Sequence, residues 1–441
     1  MDARLLSFNV LLEYEGADRW LKSIRNDHFV RLKPTKETAN RTIVLTNEVI
    51  KWKRLLDCII NDNLIKNKSK LKFPIRNILR LAIYELLIDD HNPDYAIVDS
   101  YVKLSKKNIG SYITGFINAI LRKISVSDRY IFKGKSPTNI AVCLSYPDWI
   151  VKRWISHYGE KETVKLCEYF NKAHPLMIRR NETRIDHDTL VQKLKIEKIN
   201  IKRYNDSNNF YYLKKGVGSL LNNKLFDNGF ISIQDRAAGA VVELLDPKPG
   251  EVILDACAAP GTKAFYIAEK MEYSGELIAS DISKNRIDMC HKDSNRHNIK
   301  WINWCIKNAE KNEFPLLDRA LIDVPCSGTG TIGKNPEIRW KCNVDQIKKL
   351  KRKQLAIILN ISRYVKPQGV ICYSTCSLQR EENWDVIDAF LKLNKNYKVD
   401  NSENSLPKLW FKKQNIMEIF PPRDKLIGMF AVRLRNIEKC A

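Results

Sequence analysis

The sequence predicts an α/β protein in three parts: an all-helical domain over residues 1–128, a small α/β connector over 129–230, and a parallel sheet wrapped by helices over 231–441. Three observations carry this prediction. Apolar residues recur every three or four positions through the first part, the spacing of core-facing helices. The middle part mixes one such helix with short β-like runs. From residue 234 onward strand and helix signals alternate, which calls for a parallel sheet covered on both faces.

The strongest helical stretch in the first part is RNILRLAIYELLI (76–88). A break at HNPDYA (91–96) separates it from VDSYVKLSKK and from GFINAILRKI, with Pro93 and Gly110 marking turns. The bundle reads as one able to fold on its own. In the connector, YPDWIVKRWISHYG (146–159) predicts a helix, and PLMIRRN (175–181) and NFYYLK (209–214) predict strands. In the third part a helix in DRAAGAVVELL precedes strand EVILDAC (251–257), then a helix after Pro260-Gly261 and strand ELIASD (276–281). A helix through KNRIDMCHKDSNRH follows, then strands WINWCI (301–306) and RALIDV (319–324). A long helix over 346–365 leads into strand GVICYSTC (369–376) and helix EENWDVIDAFLKL (381–393).

The chain has 441 residues, with 75 Lys and Arg against 51 Asp and Glu, a formal charge of +24. That excess favours a polyanionic partner, because it both steers encounter and supplies phosphate affinity. The basic runs KNKSK (66–70), KLSKK (103–107) and KKLKRK (348–353) are candidate phosphate contacts, or equally solvated faces. No apolar run is long enough to span a membrane, and the first twenty residues carry acidic side chains where an export signal would be basic and then apolar. A cytoplasmic protein without a membrane partner is expected. Eleven cysteines in such a chain argue against a disulfide framework, and no Cys-x-x-Cys or HExxH spacing supports a metal site.

The sharp motifs all fall at carboxyl ends of predicted strands, where open α/β sheets bind ligands. The first strand ends in LDACAAPGTK (254–263), whose small residues admit a ligand while the following helix start offers free N–H groups. Asp281, ending the second strand, suits the two ribose hydroxyls of an adenosine cofactor, NAD and S-adenosylmethionine alike; a helix-capping role is also open to it. Strand four ends in DVPCSGTG (323–330) and strand five in YSTCS (373–377), so if these strands are neighbours, Cys326 and Cys376 share one pocket. Two thiols there suit C5 methylation of cytosine. A thiolate adding to C6 makes C5 nucleophilic, and a base must later remove the C5 proton so that the thiolate can leave. Asp323 is placed to hold the N3 and N4 edge of the base. On the residues alone, nucleic-acid methylation, a nucleotide-dependent redox reaction and other α/β chemistry all stay open.

Taken jointly, LDACAAPGTK, DVPCSGTG followed by NPEIRW, and YSTCS followed by EEN resemble the bacterial 16S rRNA cytosine-C5 methyltransferase family. The front of the chain resembles that family's NusB-like helical RNA-binding domain, and QDRAAGAVVELL its helix before the catalytic sheet, so the likeness covers nearly the whole chain. The resemblance implies a Rossmann-like class I methyltransferase using S-adenosyl-L-methionine, acting as a monomer on small-subunit ribosomal RNA and not on DNA. It implies Cys376 as nucleophile, Cys326 as the residue assisting product release, and Asp323 between cofactor and base. It further implies a cofactor site of Cys257, Ala258, Ala259, Pro260, Gly261 and Lys263 around the methionine part, Asp281 and Arg286 at the ribose, and Asn308 at the adenine, with no metal.

Three positions depart from the family pattern. Thr262 replaces a loop glycine, Asn308 replaces an aspartate, and Ile427-Gly428-Met429-Phe430 stands where DGFF is usual. The Cβ of Thr262 is expected to narrow the loop or to need a changed backbone. The competing readings are the same chemistry on tRNA or 23S rRNA, and an RNA-binding ribosome assembly factor with a weakened site. A third, antitermination through the N-terminal domain, leaves the enzyme-like half unexplained.

Overall fold

A computed structural model of the chain describes residues 2–64, 71–89, 92–126, 136–220, 223–412 and 415–438. It divides into two compact units: Met1–Lys172 together with Lys334–Lys341, and Ala173–Gly333 together with Cys342–Ala441. The basic run at 66–70 and the expected boundary at 128/129 lie outside the described residues.

The first unit is helical. Its apolar periodicity takes the form of helices Ala3–Gly16, Leu21–Leu32, Lys36–Lys51, Lys53–Asp62, Phe73–Leu87, Asp94–Asn108 and Thr114–Ser125. Helix Phe73–Leu87 is the centre, with Ile78, Leu79, Leu81, Ala82 and Ile83 all fully buried. Caps come from short polar side chains as their chemistry requires: Asp2 accepts from the Arg4 N–H and Thr35 from the Thr38 N–H.

Helix Asp148–Tyr158, which the sequence assigns to the connector, groups with this unit instead. The reason is visible in its contacts. Arg54 holds both oxygens of Asp148 at 2.9 Å and the Tyr146 carbonyl at 2.6 Å, while Tyr146 packs edge-on against the buried Trp154.

Residues 334–341 also belong to the helical unit, although they follow the Cys326 loop in the chain. Arg339 is fully buried, and its Nη1 donates to the carbonyls of Lys51 and Ser145 and to Asn171 Oδ1 at 3.0–3.1 Å. Its guanidinium lies 4.0 Å from the Tyr146 ring centroid. Glu337 accepts from the Leu21 N–H at 2.9 Å, and the Trp340 indole donates to the Ile50 carbonyl at 2.7 Å. The helical unit thus takes in a segment from far along the chain, which periodicity does not reveal because it reports only neighbours in sequence.

The second unit holds two sheets. Strands β1 (Met177–Arg180), β2 (Asn200–Arg203), β3 (Phe210–Lys215) and β4 (Ile231–Ile233) form an antiparallel sheet in the order β2-β3-β1-β4. The larger sheet contains β5 (Val252–Asp255), β6 (Glu276–Asp281), β7 (Asn303–Ile306), β8 (Leu317–Asp323), β9 (Val365–Thr375), β10 (Tyr397–Val399), β11 (Phe411–Lys412), β12 (Ile416–Ile419) and β13 (Met429–Asn436). Its order is β11-β12-β13-β9-β8-β5-β6-β7, with β10 on β13. Strands β9, β8, β5, β6 and β7 run parallel, and β13 closes against β9 antiparallel. Helices Thr262–Lys270, Lys284–His297, Val344–Ile361 and Trp384–Leu393 connect and cover it.

This is the Rossmann-like arrangement expected, with one correction: the sheet is mixed, carrying antiparallel strands at 397–399, 411–412, 416–419 and 429–436. Three of these strands have four residues or fewer, too short to show a period of two. Strand β5 pairs β6 on one side and β8 on the other, so the strand order reverses there. A crevice at the carboxyl ends is the outcome of that reversal.

Candidate active site

Strands β8 and β9 are adjacent and parallel, with Asp323 directly opposite Ser374. The condition set by the sequence is met, and both cysteine loops leave the same edge of the sheet. Cys326 Sγ and Cys376 Sγ lie 3.4 Å apart, each partly accessible. Contact with Cys376, reinforced by burial, drives the Cys326 thiol well above its usual range.

Asp323 sits beneath the thiols with both oxygens engaged. Ser374 Oγ donates to Oδ1 at 2.7 Å and Lys263 Nζ to Oδ2 at 2.6 Å. Burial disfavours the Lys263 charge, but Asp323, then Asp255 and Cys376, outweigh it and hold the ammonium above its ordinary pKa. Lys263, expected beside the methionine part of a cofactor, thus directs its charge to Asp323, because helix Thr262–Lys270 starts facing the end of β8.

The loop after β5 is held from both sides. The Ala256 N–H donates to the Leu321 carbonyl and the Ala258 N–H to the Ser280 carbonyl, while Gly261 turns with φ +99°, a region open to glycine. Cys257 and Pro260 stay accessible, and Ala258 and Ala259 are buried. Thr262 is the first residue of the helix and needs no left-handed backbone, so this departure leaves the turn unchanged.

Asp281 ends β6. Its Oδ1 accepts from the Ser283 N–H at 2.9 Å, and its Oδ2 meets Arg286 Nη1 at 2.9 Å. Arg286 also donates to the Ala259 carbonyl, linking the two loops. The helix cap proper is Ser283. Asn308 uses Oδ1 to accept from the Glu310 N–H, which shapes the turn after β7.

Sequence reading passed over two features. Asp255 is 1% exposed, and neither carboxyl oxygen has a hydrogen-bond partner. Burial, reinforced by Asp323 and Asp281 against the opposing charge of Lys263, pushes its pKa up to about 7. The signal was present as an aspartate ending an apolar strand. The second is apolar: Ile282 and Ile306 stay 57% and 53% exposed at the ends of β6 and β7, beside Asp281. Among the described residues no cluster of His, Cys, Asp and Glu side chains is arranged to hold a metal, and no helix is long and apolar enough to cross a membrane.

Residues 242–435 match the family described as 16S rRNA methyltransferase RsmB/F, residues 1–126 the NusB family, and residues 146–218 the ferredoxin-like domain of RsmF/B-like methyltransferases. A probable ribosomal RNA small subunit methyltransferase B of Bacillus subtilis is 30% identical over 84% of this chain and 85% of its own length. Its namesake in Thermus thermophilus is 25% identical over 99% of this chain and 98% of its own. Among solved structures, a methyltransferase homolog from Pyrococcus horikoshii is 26% identical, with a TM-score of 0.60 over 69% of this chain and all of its own. The protein PH0851, at 24% identity, shares the fold over 98% of this chain and 99% of its own, with a TM-score of 0.81.

Proposed function

Given that this chain belongs to the RsmB/F family of 16S rRNA methyltransferases, with its NusB-like N-terminal domain, we propose that it methylates C5 of a cytosine in small-subunit ribosomal RNA. The methyl donor in this reading is S-adenosyl-L-methionine. The observation that carries the reading is the pair of thiols 3.4 Å apart beside a carboxylate held by a partly buried lysine.

The donor set fits such a cofactor. An α-ammonium would complete Asp255, whose buried oxygens lack partners. Asp281 retains acceptor capacity for ribose hydroxyls beyond its two present bonds. Ile282 and Ile306 offer an apolar surface for a base, and Asn308 lies at the end of β7 to meet its polar edge. The cofactor supplies an electrophilic methyl group.

The chain's own residues do the rest. Cys376 Sγ adds as the thiolate to C6 of the cytosine, and the C5–C6 π electrons become available at C5. Asp323 orients the base through its N3 and N4 edge while Lys263 offsets the charge gathered beneath it. After methylation, C5 must lose its proton and the Sγ–C6 bond must break to restore the double bond. Cys326, beside the attacking sulfur, passes its proton to the departing Cys376 Sγ and takes up the C5 proton in its place, so both thiols are restored. The base must leave its stack to reach the thiols, so an unpaired cytosine is favoured. We further place the protein in the cytoplasm, as a monomer.

The test is methyl transfer from labelled S-adenosylmethionine to unmodified small-subunit rRNA, with the modified base mapped. The expected result is 5-methylcytosine from the intact protein, none from Cys376→Ala, and a persistent covalent RNA adduct with Cys326→Ala. Modification of tRNA or 23S rRNA instead would move the substrate. Binding without methylation of naked RNA and immature subunits would favour an assembly factor.

A further inference from the structure

Both cysteine loops end on one buried carboxylate. Glu382 lies in the turn Arg380–Glu382 that follows β9 and has no exposed surface. Its Oε1 accepts from the Ser327 N–H at 2.8 Å and from Gln354 Nε2 at 3.0 Å. Its Oε2 accepts from the hydroxyls of Ser327 and Ser377. Ser327 follows Cys326, and Ser377 follows Cys376. The two hydroxyls also face one another at 3.0 Å.

The turn itself is fixed. Its main-chain carbonyl at Glu382 accepts from the Tyr373 hydroxyl at 2.6 Å, and Asn383 Nδ2 donates to the Ser377 carbonyl at 2.9 Å. The loop before Cys326 is tied to the same group, because Gln354 Nε2 also donates to the Pro325 carbonyl at 3.0 Å. These four bonds to Glu382 come from neutral donors. A buried carboxylate without a cation among them is a costly way to fill space, and an apolar side chain would pack more cheaply. What a carboxylate adds is two acceptor oxygens on one rigid plane, Oε1 holding the Cys326 loop and Oε2 reaching both sides of the seam between the loops.

We propose that Glu382 is a positioning residue that sets the separation of the Cys326 and Cys376 thiols, acting through Ser327 and Ser377. This rests on the reaction proposed above, in which one sulfur attacks and its neighbour assists release. If the loops drift, attack can still occur while release falls behind.

The test uses the full-length protein with Glu382→Gln and, separately, the double variant Ser327→Ala/Ser377→Ala. Glutamine keeps the shape but has one acceptor oxygen instead of two. Thiol spacing is read without RNA by dibromobimane, which fluoresces once both arms have reacted, with the Cys326–Cys376 cross-link confirmed by peptide mass. Both variants are expected to keep the parent's circular dichroism and KM for RNA, to lose roughly 10–100-fold in kcat as a displaced reactive group does, to cross-link several-fold less, and to show a higher ratio of covalent adduct to product. Unchanged cross-linking overturns the proposal, whether or not activity falls. So does unchanged kcat in both variants. Should Glu382→Gln not fold, the double serine variant decides alone. If the parent itself transfers no methyl group, the proposed reaction falls, and cross-linking by itself decides whether Glu382 sets the thiol spacing.

Discussion

Asp255 is a buried carboxyl group without a hydrogen-bond partner, and its titration carries a measurable signature. In the cofactor-free protein its pKa is about 7, against 3.8 ordinarily. The folded state therefore holds a proton that the unfolded chain has lost between these values, so this group's contribution to stability declines as pH rises from about 4 to 7 and is constant above. An ammonium ligand needs the ionised form. Affinity for S-adenosylmethionine is expected to fall toward tenfold per pH unit below about 7, and Asp255→Asn should bind weakly at every pH with that slope removed. Calorimetric titration from pH 6 to 8 checks both, and a parallel slope in the variant would exclude Asp255 as the ammonium's partner. The motif residues Cys326, Cys376 and Asp323 were legible because side chains of that chemistry at strand ends have few packing explanations. Asp255 was visible but mute, since its lack of partners exists only in three dimensions. The bond from Lys263 to Asp323 was hidden for the same reason: a sequence gives the helix it starts, not the carboxylate its four-carbon stem reaches.

Among elements, three loops meet where the site is made. The Gly330 N–H donates to the Cys376 carbonyl and the Gly428 N–H to the Gly330 carbonyl, each at 2.8 Å. A Cβ on Gly330 would stand 2.5 Å from the Gly428 carbonyl oxygen and 2.7 Å from that of Cys376, both main-chain atoms that cannot swing aside. Gly330→Ala should therefore push the loops apart and lower kcat by about 10²-fold, the scale set by an ångström of misplacement. Cofactor binding, which the proposed reading assigns to the loops after β5 and β6, should hold, and a matching loss of affinity in calorimetry would contradict this account. Parallel strands β5, β6, β8 and β9 were readable because each is a largely apolar run buried on both faces, with helices between. The strands at 411–412 and 416–419 were not, being too short for any period, and Gly428 registered only as part of an unusual tetrapeptide. Its necessity comes from a backbone that approaches from almost a hundred residues earlier in the chain.

For the molecule as a whole, the membership of 334–341 in the helical unit is the fact that local reading could least supply. Arg339 has no local pattern to explain it, and its acceptors at Lys51, Ser145 and Asn171 are scattered along the chain. Arg339→Ala removes all three hydrogen bonds and the contact with Tyr146, and is expected to destabilise the helical unit by about 3 kcal/mol, the cost of leaving buried acceptors unmet. Hydrogen exchange in helices Lys36–Lys51 and Glu160–Asn171 should report it, and unaltered protection there would show that the segment is passively seated. A ribosome makes this chain from its N-terminus, and domains ordinarily fold in that order as they emerge. Here Asn171 emerges 168 residues ahead of the arginine that satisfies it. The half that is synthesised first is completed only when most of the other half has been translated, so a nascent chain stopped anywhere between them carries an unfinished helical unit, a target for chaperones or proteases.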